Sequence, residues 1–163
     1  MMQSMIFNII FAIVLIIIIY LIIRWISGAT ETYLSGVHDA NKKIVINSSD
    51  ISANKNSNNF AYSIWFYVDD WQYRLSQTKE LLVRNTRGGD NHNPHISFPP
   101  YENNINITID TMQNNNSNDP NPLVNKNNCS VRNFPLQRWV NLLISLSGRT
   151  LDVYVDGKLV RTC

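Results

Sequence analysis

The segment Ile6–Ile23 reads IFNIIFAIVLIIIIYLII, and no other feature of the chain constrains it as much. Only Asn8 within it is clearly polar, and Tyr20 is amphipathic. At helical rise the run covers about 27 Å, and extension to Ile26 gives about 31 Å, the thickness of a hydrocarbon core. It is apolar on every side, which excludes an amphipathic surface helix. In lipid every backbone N–H and C=O needs an internal partner, and a helix supplies one even where isoleucine is a mediocre helix former. Arg24 and Trp25 close the run as a snorkelling cation and an interfacial ring would. They are the expected membrane-interface anchors, and the lipid bilayer is the expected partner, crossed once. A cleaved signal peptide is the rival reading, with Ser27-Gly28-Ala29 as the cut site. Its apolar core is usually only about 7–15 residues and follows a basic start. Here no basic side chain precedes the run. Arg24, Lys42 and Lys43 follow it, so the positive-inside rule places the remainder on the cytoplasmic side.

A chain of 163 residues has room for one domain beside such a helix. The expected organisation is an anchor over 1–26, a small polar linker over 27–43 and a domain over 44–163. The net charge of +2 and the lack of any Lys/Arg-rich run give no footprint for nucleic acid. Charged residues make up 16% of the chain, against about 25% in an average protein. Polarity comes instead from 23 asparagines, which stand beside 20 isoleucines. Both have AT-rich codons, so the bias fits an AT-rich genome.

Beyond Ile26 no segment has convincing helical periodicity, and short strand patterns alternate with polar loops. Lys43–Ile46 is a short strand candidate, and Phe60–Val68 (FAYSIWFYV) is the strongest. Glu80–Asn85, His95–Phe98 and Asn104–Asp110 follow, the last with Ile105, Ile107 and Ile109 in strict alternation. Arg87–Pro94 reads as a turn-rich loop and Gln113–Asn128 as an Asn-rich loop. Trp139–Ser147 and Leu151–Val155 are strands joined by a turn at Gly148-Arg149. Asp156-Gly157 is a type I′ hairpin signal, returning through Lys158–Thr162. Six to nine such strands imply an all-β fold, an antiparallel sandwich. Trp65 and Trp139 are expected in its core, because large aromatics dominate such cores; Trp71 is left open between core and surface.

The stretches Phe60–Val68, Trp139–Ser145 and Leu151–Val160 (LDVYVDGKLV) resemble the concanavalin A-like lectin/glucanase superfamily, and its laminin-G and pentraxin-like branch above all. The resemblance covers about residues 43–163. It implies an antiparallel jelly-roll sandwich, here preceded by a single N-terminal transmembrane α-helix. Members usually continue beyond the Y-V-D-G-K hairpin, so either this sandwich is small or the sequence is part of a longer product. Anchor, domain and Asn/Ile bias together resemble membrane-anchored minor capsid proteins of large nucleocytoplasmic DNA viruses. That resemblance implies a structural tether between an internal membrane and capsid proteins. A membrane-anchored glycan-binding lectin is the alternative.

Glucanases of the superfamily carry closely spaced carboxylates on one strand, because glycoside cleavage needs an acid and a nucleophile about 5–5.5 Å apart. No such run occurs: Asp69-Asp70 are adjacent, and Glu80 and Glu102 stand alone. No catalytic residue and no cofactor is therefore expected. His92 and His95 lack further ligands and read as members of a solvated loop, so no metal site is expected; Asp90 with Asn91 and Asn93 is at most a weak Ca²⁺ candidate. Trp71, Tyr73 and Tyr101 lie in loop-like contexts and are the candidates for glycan or partner contact. Cys129 and Cys163 are the only cysteines. They form a candidate disulfide, which a reducing cytosol would oppose. Sequons at Asn47, Asn106, Asn115 and Asn128 are expected by chance in so Asn-rich a chain.

Overall fold

The computed structural model describes residues 2–26, 34–51, 57–85, 92–113 and 123–163. The chain divides into two units, Met1–Ser52 and Ala53–Cys163.

In the first unit, helix α1 runs from Met2 to Ile26, 25 residues. Its described side chains from Ile10 to Ile23 are all exposed. Arg24 and Trp25 belong to the last turn, and their side chains lie outside the described residues. Among the described residues no helix is long and apolar enough to cross a membrane. The described side chains of α1 form an unbroken run only over 10–23, shorter than the apolar segment of the sequence. Ser27-Gly28-Ala29 falls outside the described residues. Residues 34–51 hold neither helix nor strand, and the strand expected at Lys43–Ile46 does not form. Ile44, Val45 and Ile46 are exposed and lie outside any strand. A β-branched triplet becomes a strand only where a neighbour completes its backbone ladder.

Among its described residues the second unit is a sandwich of eight strands. These are β1 Phe60–Tyr67, β2 Lys79–Asn85, β3 His92–Phe98, β4 Ile105–Gln113, β5 Leu123–Val131, β6 Trp139–Ser147, β7 Thr150–Val155 and β8 Lys158–Thr162. One sheet has the order β1-β6-β7-β8 and the other β2-β3-β4-β5, with every pairing antiparallel. The chain leaves the first sheet after β1, builds the whole second sheet, and returns to lay β6 beside β1.

Alternation makes the core. Ile96, Ile105 and Ile107 from one sheet and Leu142, Ile144 and Val153 from the other are fully buried. Phe134, on the connection from β5 to β6, closes one end. Its ring stacks on Phe66 at 5.3 Å and meets Phe98 edge-on at 6.1 Å. Its backbone N–H donates to the Asn103 carbonyl at 2.7 Å. The β7–β8 turn is the expected one: Asp156 and Gly157 have φ of 51° and 78°.

Two loops were expected where strands form. Strand β3 begins at His92, inside the expected loop Arg87–Pro94; residues 86–91 lie outside the described residues. Pro94 cannot donate to a ladder, and it sits where the β2–β3 register shifts between Val83 and Asn85. Strand β5 occupies the end of the expected Asn-rich loop 113–128. It is the outermost strand of its sheet, and its asparagines 125, 127 and 128 face solvent. Its pairing runs from Gln113↔Leu123 to Ile105↔Val131, and β4 supplies the order that its own composition does not.

Candidate functional site: an exposed aromatic face

Strands β1 and β6 lie side by side, and one face of each is buried. Along β1, Phe60, Tyr62, Ile64 and Phe66 pack against the core while Ala61, Ser63, Trp65 and Tyr67 point out. Along β6, Val140, Leu142 and Ile144 are buried, which turns Trp139 outward. The expectation that Trp65 and Trp139 fill the core is therefore corrected. They are 65% and 51% exposed, and Tyr67 is 43% exposed. Successive side chains alternate between faces, and both tryptophans have the parity opposite to the core aliphatics. That parity was readable in the sequence, and it outranks aromatic size.

The register brings the three rings together. Tyr67 is directly opposite Trp139, with ring centroids 5.8 Å apart. Trp65 is opposite Asn141 and therefore diagonal to Trp139. The polar groups beside the rings are held. Asn141 Nδ2 donates to Ser63 Oγ at 2.9 Å, and the Asn141 backbone N–H donates to Asp156 Oδ1 at 2.9 Å. The other Asp156 oxygen pairs with Arg138 Nη2 at 2.8 Å. The arrangement is an exposed aromatic surface with hydrogen-bonded amide and carboxylate groups beside it. Rings with few rotatable bonds, placed this way, suit an interface anchor or a stacking platform.

The residues expected from loop context lie elsewhere. Trp71 is half-buried, its ring edge-on to Phe98 at 5.7 Å, with the Lys79 ammonium 4.5 Å from its centroid. Desolvation lowers the Lys79 pKa, an effect that the ring face opposes. Tyr73 and Tyr101 are exposed; Arg74 lies 5.3 Å over the Tyr73 ring. The Tyr101 N–H donates to the Leu75 carbonyl at 3.0 Å, so the β1–β2 and β3–β4 connections meet at one end of the sandwich.

His92 and His95 are not in a solvated loop but on β3, with rings 5.6 Å apart. His92 Nδ1 lies 2.9 Å from Asn85 Oδ1. His95 Nε2 is buried without a hydrogen-bond partner, although Glu80 Oε1 lies within ion-pair range at 3.5 Å. Asp90 and Asn91 fall outside the described residues. Among the described residues no cluster of three or more His, Cys, Asp or Glu could hold a metal ion. Of the isolated carboxylates, Asp70 accepts the Gln72 N–H at 2.8 Å, which stabilises a turn. Cys129, on β5, and Cys163, just past β8, are joined by a disulfide that links the two sheets at one edge. Of the sequons, Asn47 is exposed in irregular chain, Asn106 is half-buried within β4, Asn128 is exposed on β5, and Asn115 lies outside the described residues.

No curated protein and no solved structure matches the chain. The family pattern described as Concanavalin A-like lectin/glucanases superfamily, of laminin-G type, does match, over residues 24–162. The two antiparallel sheets agree with it, and the chain belongs to the concanavalin A-like lectin/glucanase superfamily.

Proposed function

We propose that this chain is a non-enzymatic binding module, held at a bilayer by α1 and docked on a structural protein through the outer face of β1 and β6. The observation that carries this reading is the cluster of Trp65, Tyr67 and Trp139 in the open on a sheet face. Indole and phenol rings exposed together are costly to leave in water and mark an interaction surface. Support for the anchor comes from the apolar run Ile6–Ile23 and from the 25 residues of α1, about 37 Å of helix. The absence of a glucanase carboxylate run supports a binding role. The finer reading is a minor capsid component that ties the internal membrane of a large DNA virus to its shell. It rests on the resemblance of the whole arrangement to such proteins and on the basic flank Arg24, Lys42 and Lys43.

Fractionation of purified particles tests it. After the capsid is stripped with mild detergent, the chain is expected in the membrane fraction, and its absence from particles would refute the virion reading.

Glycan binding is the second reading, favoured by the Asn141 amide and the Asp156 carboxylate beside the rings. On a glycan array, reproducible binding lost in Trp65→Ala would support a lectin acting through this face. Loss in Trp71→Ala alone would move the site to the loop end.

A further inference from the structure

Strands β1 and β6 carry no charged side chain. The two charges that border their outer face, Arg138 and Asp156, pair with each other at 2.8 Å. Electrostatics on this face therefore match an uncharged occupant. Asn141, opposite Trp65 and two residues from Trp139, is engaged within the chain. Its amide nitrogen donates to Ser63 and its backbone N–H to Asp156. The rings are not engaged in this way. Among the described residues the indole N–H groups of Trp65 and Trp139 and the Tyr67 hydroxyl make no hydrogen bond. Tyr67 and Trp139 lie directly opposite each other, with ring centroids 5.8 Å apart and planes tilted by 56°. They form an angled pair and not a closed stack. What the face leaves free is thus aromatic surface interleaved with hydrogen-bond donors.

We propose that this face binds a proline-rich segment of its partner in polyproline II conformation. The inference rests on the reading of β1 and β6 as the docking face and names the ligand class of that face. Proline matches each free feature. Its ring is apolar and uncharged, and it lies well on an indole or phenol face. Its nitrogen carries no hydrogen, so it brings no donor to compete with the indoles. Polyproline II has no internal hydrogen bonds, which leaves every carbonyl open to the Trp65 and Trp139 N–H groups. It is also ordered before binding, so a small aromatic patch can hold it.

Fluorescence anisotropy of a labelled decaproline peptide, with the full chain in detergent micelles, tests the proposal. Saturable binding above that to empty micelles is expected. Trp65→Ala and Trp139→Ala should each weaken it at least tenfold. Tyr101→Ala, an exposed ring at the loop end, should leave it unchanged. A peptide alternating proline with glycine lacks the fixed conformation and should bind at least tenfold more weakly. No binding, equal binding of the alternating peptide, indifference to both tryptophan variants, or equal loss in Tyr101→Ala would overturn the proposal. A glycan array bound through Trp65 without decaproline binding would overturn it in favour of a saccharide. Retention on capsid-bearing particles that Trp65→Ala abolishes, again without decaproline binding, would overturn the ligand class and leave the docking face standing.

Discussion

Along a strand the backbone turns each side chain to the face opposite its neighbour, and this rule decides the fate of the tryptophans. Trp65 stands between Ile64 and Phe66, which pack on the core, so it must point out. Its size had pointed to the core; its position in the alternation placed it in the open. Stability should separate the two classes of ring. Phe134 is 1% exposed and touches rings from both sheets, so Phe134→Ala should cost about 3–5 kcal/mol in urea unfolding. Trp65→Ala should cost about 1 kcal/mol or less, since most of its surface is already in water. A Trp65→Ala loss as large as that of Phe134→Ala would place Trp65 in a covered site. His92 was harder to read. Its loop-like neighbours Asn93 and Pro94 hid the start of β3, which was expected only from His95 and which β2 and β4 flank.

At the scale of the element, legibility followed the source of order. Strands β1, β4, β6 and β7 carry their own alternation of aliphatic and polar residues and were readable from it. Strand β5 carries almost none: Asn125, Asn127 and Asn128 are poor strand formers, and the ladder to β4 creates the element. Lys43–Ile46 is the reverse case, a good strand sequence that forms no strand among the described residues. The β7–β8 turn was legible because Asp-Gly tolerates positive φ at both central positions. Gly157→Ala should destabilise by about 1–2 kcal/mol through the backbone alone, because a Cβ there would meet open space. Thermal unfolding measures this, and an unchanged midpoint would mean that the turn relaxes at no cost. The disulfide closes a separation of 34 residues and links the edges of opposite sheets. Cys129–Cys163 pairing should contribute about 3–4 kcal/mol on the chain-entropy account. Urea unfolding of Cys163→Ser against the parent checks that figure. Two free thiols by non-reducing mass spectrometry would contradict the bond itself.

At the scale of the molecule, a sandwich with an exposed aromatic face follows a helix that carries the apolar run Ile6–Ile23. The superfamily was legible from the Y-V-D-G-K hairpin and the two aromatic strands. The exposed aromatic face was not legible, because Trp71, Tyr73 and Tyr101 lie in loop-like contexts while Trp65, Tyr67 and Trp139 lie on regular strands. The fold alone does not specify a ligand, since its sites are grafted on its surfaces. The proposed role therefore requires α1 to hold that surface at a bilayer. Alkaline carbonate extraction of membranes from cells expressing the chain tests this most directly. The full chain is predicted to remain in the membrane pellet, and a chain lacking residues 1–26 to appear in the supernatant. Full-length protein released into the supernatant would contradict the account.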